Sequence, residues 1–304
     1  MKNAALCVAL LALASGSGAT AKDTFLIAIT VDDLPAHGPL PEGTTRTDIA
    51  RSYLATLKAH DVPEAFGFVN AAKVANDRSS EVVLELWRKA GYPLGNHSYS
   101  HMNLDRAESV AAWTADVIAG EPLVARYMVG RNWRYFRFPN LAPGTGERKA
   151  AAVALLKARA YHVADVSVAF ADWVYTDAYV RCLARGDQAS IAAMKAQYLV
   201  GIDNGIASMK AASRRLYGRV VPQVLLTHLG AWSAVTLPEV MVRLDAAGAR
   251  YVTLERAQSD PAYAEAERLP GGGSILQRTA RARHMNLDDV AAPKTVINVK
   301  QMCR

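Results

Sequence analysis

The sequence predicts an α/β fold built around a parallel sheet of about seven strands. Apolar runs rich in β-branched residues alternate with segments of helical spacing along most of the 304 residues, and this alternation is typical of βαβ units. The first run, residues 25–31, is continuously apolar, as expected for a strand covered on both faces. Such units form either a barrel-like closure or a doubly wound open sheet. In both, the active site lies at the carboxyl ends of the strands.

Each further element follows from its local pattern. Residues 47–60 place apolar side chains on one helical face, and residues 79–90 form a helix that stops at Gly91. The other predicted helices are 105–127, 146–160, 189–217 and 237–247, and the other predicted strands are 65–69, 92–95, 133–138, 161–168, 220–227 and 250–254. Residues 261–304 begin close to a glycine-rich break and lack periodicity, so we expect a tail that packs on a catalytic domain of residues 22–260.

The N-terminus has the pattern of a secretory signal peptide. Lys2 precedes a short apolar stretch, and small residues ending at Ala21 form an A-x-A cleavage site. A membrane-spanning helix needs a longer apolar run. We therefore expect cleavage after about Ala21 and a secreted or periplasmic protein without integral membrane contact; a buried N-terminal helix is the alternative.

Two cysteines follow this leader, Cys182 and Cys303. In an exported protein such a pair favours one disulfide, which would tie the tail to the body of the domain. Two buried free thiols are the alternative.

Composition bounds the class of protein. Hydrophobic residues make up 51% of the chain, enough for a sizeable core. The formal net charge is +7, but the basic residues are scattered, which is typical of a solvated surface and not of a nucleic-acid groove. We expect no nucleic-acid partner, and composition sets no oligomeric state.

Two pairs of polar residues follow predicted strands. Asp32 and Asp33 follow the first strand, and His97 and His101 follow the third. One Asp and two His can hold a divalent ion with a position left open for water, and the second Asp can then accept a proton from that water. Because the histidines are four residues apart, one helical turn would stack them on one face. Either pair alone is more typical of a cap or a surface turn; together they predict a metal centre.

Three more polar residues belong to the same rim. Arg137 ends the fourth predicted strand, Asp172 lies just after the fifth, and His228 ends the sixth. Scattered structural residues would not be expected to gather in this way.

Five short motifs resemble those of the polysaccharide deacetylase family, also called the NodB-homology or carbohydrate esterase family 4 domain. In family order, the motifs are T-V-D-D-L-P at 30–35, H-S-Y-S-H at 97–101, R-F-P at 137–139, D-W at 172–173 and L-T-H at 226–228. The resemblance implies a distorted (β/α) barrel, related to the TIM barrel, and the metal-dependent removal of acetyl groups. It also implies that Asp33, His97 and His101 bind a divalent metal, expected to be Zn²⁺, with Co²⁺ or another divalent ion also possible.

The resemblance assigns the remaining roles too. Asp32 would be the general base and His228 the general acid, while Arg137 would hold Asp32. Asp172 would tune either Arg137 or His228. A carboxylate suffices as base because a bound ion lowers the pKa of water to about 7, and a histidine is suited to protonate a leaving amine or alcohol.

The motifs depart from the family pattern at Leu34, where glycine is usual, and at Asn140, where an aromatic residue is usual. The expected substrate is therefore an acetylated saccharide or a small acetylated molecule, with an amide or an ester bond. The alternatives are hydrolysis of another non-peptide C–N bond, such as a cyclic imide, on the same fold, and a non-catalytic glycan-binding homologue.

Other histidines and tryptophans have weaker indications. His37 is interpreted as an exposed turn residue, with a substrate contact or a supporting role beside the metal as the alternative. His60, His162 and His284 are interpreted as structural. Trp173 and Trp232 follow rim motifs, and either sugar stacking or packing would explain them.

Overall fold

The computed structural model describes residues 23–293 and 297–304. The predicted leader, residues 1–21, lies outside the described residues. The centre of the fold is one sheet of parallel strands. In chain order the strands are β1 (Phe25–His37), β2 (Ala65–Val69), β3 (Leu94–Asn96), β4 (Tyr135–Phe136), β5 (His162–Val163), β6 (Val168–Ala169), β7 (Gln223–Gly230) and β8 (Ala249–Tyr251).

The strands follow the order β5-β4-β3-β2-β1-β7-β6, and β8 pairs with the first residues of β1. Every pairing is parallel. The seven-strand path curls into a half-barrel surrounded by helices, so the predicted distorted barrel of about seven parallel strands is confirmed. Because all strands run in one direction, their carboxyl ends share one rim.

The fifth predicted strand, 161–168, is wrong as a single element. It divides into β5 and β6, which lie at opposite ends of the sheet path. Asp165, in the middle of the predicted run, instead forms an ion pair of 2.7 Å with Arg278 from the C-terminal region. Ala164 still donates to the carbonyl of Phe136 at 2.8 Å, and Ser167 donates to that of Val224 at 3.0 Å. The connecting residues therefore bridge the two edges of the half-barrel.

Eleven helices surround the sheet within the described ranges. They are α1 (Arg46–Ala59), α2 (Ala71–Asn76), α3 (Val82–Lys89), α4 (Val110–Tyr127), α5 (Gly146–Ala158), α6 (Thr176–Ala184), α7 (Gln188–Tyr217), α8 (Ala231–Ala246), α9 (Leu254–Gln258), α10 (Pro261–Glu267) and α11 (Ile275–Ala282). Among the described residues, no helix combines the length and the apolar character needed to cross a bilayer.

Two helix starts differ most from the prediction. The fourth helix begins at Val110 and not at 105, because Ser109 caps it by accepting a hydrogen bond from Ala112 at 3.0 Å. Helix α8 begins at Ala231, whereas the prediction placed its start at residue 237. Its N-cap residue is Gly230, which has no side chain to cap the helix. No local start signal marks that position.

The C-terminal region, residues 261–304, contains α10 and α11, which the sequence analysis missed. Ile275 at the start of α11 is fully buried in the main hydrophobic core. Cys182 of α6 and Cys303 form the predicted disulfide. The division into a domain of residues 22–260 and a packed tail stays a prediction.

Core packing holds β1, the strand that carries the two aspartates, against β2. Leu34 is fully buried. A Cβ added to Gly67 of β2 would lie only 2.7 Å from the Cδ2 atom of Leu34. No side chain fits at Gly67, so β1 and β2 approach closely at this point. Leu34 is therefore a packing residue under the rim.

Candidate metal and catalytic site

Strand β1 does not end before the aspartate pair but continues through it. The pairing shifts register at this point: β1 advances from Asp32 to His37 while β7 advances only from His228 to Gly230. Asp33 has a φ of 67°, in the left-handed region. Such an irregularity re-aims side chains beside a site. It explains how two neighbouring carboxylates acquire different surroundings.

The Asp33 carboxylate is nearly buried and has contacts on two sides. Its Oδ2 accepts a hydrogen bond from His37 Nδ1 at 2.7 Å. Lys73 Nζ lies 3.3 Å from Oδ1, but it donates to the carbonyls of Asp33 and Ala36 at 3.4 and 3.2 Å. Among the described residues, Oδ1 accepts no hydrogen bond. Burial alone would raise the pKa of Asp33, but His37 and Lys73 outweigh it and hold that pKa well below its usual range.

The two histidines face Asp33 from a loop and not from a helical turn, so the predicted helical stacking is wrong. Ser98 and His101 both have positive φ angles, 61° and 63°. The loop is held by Asp116 of α4, whose carboxylate accepts from the Ser100 amide at 3.1 Å. The rings nevertheless come together, with centroids 4.8 Å apart.

The histidine nitrogens are aimed at one oxygen of Asp33. His97 Nε2 is 4.0 Å and His101 Nε2 is 3.6 Å from Asp33 Oδ1. The Nδ1 atom of His97 donates to the carbonyl of Arg137 at 2.8 Å, which leaves Nε2 unprotonated. Burial lowers the pKa of His97 to about 4 and also lowers the pKa of His101, so both rings are neutral at pH 7.

Asp32 faces a buried arginine. Arg137, just beyond the short β4, donates from Nη1 to Asp32 Oδ1 at 3.0 Å and from Nη2 to Thr30 Oγ1 at 3.0 Å. Its Nε donates to the carbonyl of Ala164 at 2.6 Å, and its guanidinium lies 4.6 Å from the Phe68 ring centroid. Such a network orients the carboxylate of Asp32 and compensates its buried charge.

On the other side of the site, His228 pairs with Asp172. His228 Nδ1 donates to Asp172 Oδ1 at 2.9 Å, and the His228 amide donates to Oδ2 at 2.7 Å. Ser233 Oγ also donates to Oδ2 at 2.7 Å. Burial alone would lower the pKa of His228, but the Asp172 carboxylate outweighs it and raises that pKa to about 8. Asp172 therefore contacts His228 and not Arg137, which separates the two options left by the sequence.

Asp32 and His228 are paired residues on adjacent strands, since their Cα atoms are register partners between β1 and β7. Residues paired in this way project to the same face of a sheet. The structure thus brings all seven predicted site residues to one rim, with His97 and His101 beside Asp33, Arg137 against Asp32, and Asp172 against His228.

Other predicted residues have different surroundings. His37 is not an exposed turn residue: it belongs to β1, contacts Asp33 and lies with its ring centroid 4.9 Å from that of His228. Its position was missed because β1 was expected to end at residue 31. Trp232 is fully buried and stacks on Tyr175, so it cannot be a sugar platform, whereas Trp173 is 48% exposed.

Lys73 was not predicted from the sequence at all. It lies on the short helix α2 and carries no motif. His60 contacts Asp245 at 2.6 Å, while His162 and His284 are exposed.

The residues around Asp33 fit a divalent ion. One atom from each of Asp33, His97 and His101 lies within 4.8 Å of the other two. Two ligands about 2.05 Å from a tetrahedral ion are separated by about 3.3 Å, so small movements would complete the geometry. An ionised carboxylate with an unbonded buried oxygen and two neutral imidazoles have the protonation states that such a site needs.

The comparisons agree with this architecture. A family model described as polysaccharide deacetylase matches residues 19–160, which include the three proposed metal ligands, Asp32 and Arg137. A comparison with curated proteins finds no match.

Among solved structures, the chain is similar to the chitin deacetylase of the fungal pathogen Colletotrichum lindemuthianum, with 20% identity, a TM-score of 0.53, and 76% of this chain and 86% of that chain covered. It is similar to a peptidoglycan deacetylase from Bacillus subtilis, with 20% identity, a TM-score of 0.50, and 82% and 98% covered. It is also similar to a mutant of a carbohydrate esterase family 4 pseudoenzyme with restored activity, with 17% identity, a TM-score of 0.51, and 78% and 68% covered.

At these identities the structures establish a shared fold, and the family model independently covers the first three motifs. The polysaccharide deacetylase model therefore matches the part of the chain that holds the first three motifs, as the resemblance of those motifs predicts, and the fold is shared with solved deacetylases of carbohydrate esterase family 4.

Proposed function

We propose that this protein is an exported, divalent-metal-dependent deacetylase that hydrolyses acetyl groups, as amides or esters, on a glycan or a small acetylated molecule. One observation carries the proposal: a three-donor site has a carboxylate held by arginine on one side and a histidine held by aspartate on the other. Such an arrangement would supply a general base and a general acid to one reacting centre.

Asp33, His97 and His101 would hold the ion. When bound, a divalent ion acts as a Lewis acid that polarises an acyl carbonyl and lowers the pKa of water to about 7. Zn²⁺ suits two imidazoles and one carboxylate with an open position, and Co²⁺ suits the same donors.

Asp32 would accept the proton of the attacking water. Its Oδ2 lies 3.7 Å from His97 Nε2, so the carboxylate borders the proposed ligand set. Arg137 fixes Asp32 through a hydrogen bond of 3.0 Å from Nη1 to Oδ1. A base in this position is worth about 10²- to 10⁴-fold in rate.

His228 would give a proton to the leaving amine or alcohol. Its pKa of about 8 keeps most of the imidazole protonated at pH 7. Because Nδ1 is bonded to Asp172, Nε2 is the atom available to the substrate.

The substrate class is supported by likeness and by one exposed ring. The structural neighbours include deacetylases of chitin and of peptidoglycan, and Trp173, next to Asp172, exposes a face on which a sugar could stack. Leu34 is buried, so we expect the departure in the first motif to lie away from the substrate. Asn140 is exposed, with a φ of 58°, and its side chain accepts from Asn103 at 2.9 Å.

A non-catalytic role has one observation in its favour, since a neighbour with the same fold is described as a pseudoenzyme. Fold alone therefore does not distinguish an active from an inactive chain, and the proposal depends on the side chains around Asp33.

The test is an acetate-release screen across N- and O-acetylated saccharides and small acetyl amides and esters. We expect release that a chelator abolishes and that Zn²⁺ or Co²⁺ restores. Product analysis in the same screen should include a cyclic imide. Ring opening without acetate release, or saccharide binding without any turnover by the metal-loaded protein, would contradict the proposal.

A further inference from the structure

His37 lies on an extension of β1 that reaches back over the site. After the irregularity at Asp33 the strand resumes its pairing at His37, opposite Gly230 of β7. A Cβ on Gly230 would lie 3.1 Å from the His37 carbonyl oxygen, so the glycine permits this close approach. The extension brings the His37 ring between Asp33 and His228.

The contact between His37 and Asp33 has a defined direction. An ionised carboxylate has no hydrogen to donate, so Nδ1 of His37 is the donor in the 2.7 Å bond to Oδ2. This bond engages the oxygen remote from the histidine pair. The other oxygen, Oδ1, is the one near His97 and His101. It accepts no hydrogen bond among the residues described here, and Lys73 Nζ lies 3.3 Å from it.

We infer that His37 is a positioning residue, which holds the Asp33 carboxylate so that Oδ1 alone is presented to a divalent ion. The inference rests on the proposed metal site. Hydrogen-bond partners of ligating carboxylates commonly contribute about 10- to 100-fold to metal affinity.

Two substitutions separate the hydrogen bond from the bulk of the side chain. His37→Leu removes the donor. His37→Asn retains one, because the side-chain amide nitrogen of asparagine occupies nearly the position of Nδ1. His284→Asn is the control, since His284 is exposed and its ring has no bonding partner within the described ranges.

The readouts are the Zn²⁺ dissociation constant, by competition with a chromophoric chelator, and the visible absorption spectrum of the Co²⁺-loaded protein. We expect His37→Leu to weaken Zn²⁺ binding about 10- to 100-fold and to change the Co²⁺ spectrum. His37→Asn and His284→Asn should stay close to the wild type in both. Far-UV circular dichroism confirms that each variant is folded.

Wild-type affinity and an unchanged Co²⁺ spectrum in folded His37→Leu would overturn the inference. Equal weakening in the Leu and Asn variants would overturn it too, because the donor would then not be the cause. Unchanged Zn²⁺ affinity in His97→Ala would remove the metal site itself. Metal binding that responds to His37 without any acetate release would instead defeat the proposed activity and leave the role of His37 intact.

Discussion

The His97 ring donates from Nδ1 to the backbone carbonyl of Arg137 at 2.8 Å, while the side chain of the same arginine holds Asp32 at 3.0 Å. One residue thus sets the ring orientation of a proposed metal ligand through its backbone and the orientation of the proposed base through its guanidinium. The proposed ligand and the proposed base are therefore both positioned by one short segment, which directly follows the two-residue strand β4.

Replacing His97 by alanine should remove the ion. His97 is almost completely buried and supplies one of three donors, so only Asp33 and His101 would remain as donors. When chelator-treated His97→Ala is reloaded with Zn²⁺, we expect less than one equivalent of zinc per protein, as measured by inductively coupled plasma mass spectrometry. His284→Asn should retain one equivalent, and one tightly bound equivalent in His97→Ala would count against the ligand assignment.

The rate of acetate release should fall at alkaline pH. A general acid must be protonated, and the pKa of His228 is raised to about 8 by Asp172. Activity that depends on the acid form is therefore present below pH 8 and is lost as pH rises through that value.

Asp172→Asn tests the cause of that shift. Without the carboxylate, burial would dominate and the alkaline limb of kcat/KM should move to lower pH. Asp177→Asn, at an exposed position of α6, serves as the control. An alkaline limb at the same pH in Asp172→Asn and the wild type would exclude His228 as the group that is titrated.

The disulfide should stabilise the protein. Cys182 and Cys303 are separated by 121 residues, and closing a long loop restricts the unfolded chain, with a typical effect of about 2–4 kcal/mol. We expect Cys303→Ser to lower the urea midpoint correspondingly, with no further effect of a reductant. An unchanged midpoint would mean that the tail is held by its other contacts, such as the bonds from Arg181 to the Met302 carbonyl.

Export can be checked by the N-terminus of the secreted protein. The A-x-A pattern ending at Ala21 predicts that the mature chain begins at Lys22. N-terminal sequencing of protein recovered from the periplasm or medium measures this. Recovery of the full-length chain in the cytosolic fraction alone would contradict the proposed localisation.

The local sequence pattern was sufficient to predict much of the fold. The strand β2 has the predicted bounds, and the rim positions of the polar residues followed from parallel topology. The run 161–168 was misjudged because Asp165 finds its partner, Arg278, far along the chain. No periodicity signals such a pair.

The candidate site was also predicted only in part from the sequence. Motifs located all seven proposed residues, but spacing alone suggested a helical turn for His97 and His101, where Asp116 instead holds a loop. For a related reason, a role for His37 beside the metal was only the alternative to an exposed turn, and Lys73 was not predicted. Their contacts with Asp33 depend on the extension of β1 and on the short helix α2, and neither is marked by an apolar pattern.

The role of Asp32 is tested most directly by a comparison of the wild type with the variants Asp32→Asn and Asp61→Asn. Metal content and the rate of acetate release are measured on the same preparation of each protein. Asp61 is exposed and its φ of 50° suits asparagine, so its variant is a matched control. We expect one equivalent of Zn²⁺ in all three proteins and a kcat about 10²- to 10⁴-fold lower in Asp32→Asn alone. Wild-type turnover in metal-loaded Asp32→Asn would contradict the central claim that Asp32 is the base beside a metal held by Asp33, His97 and His101.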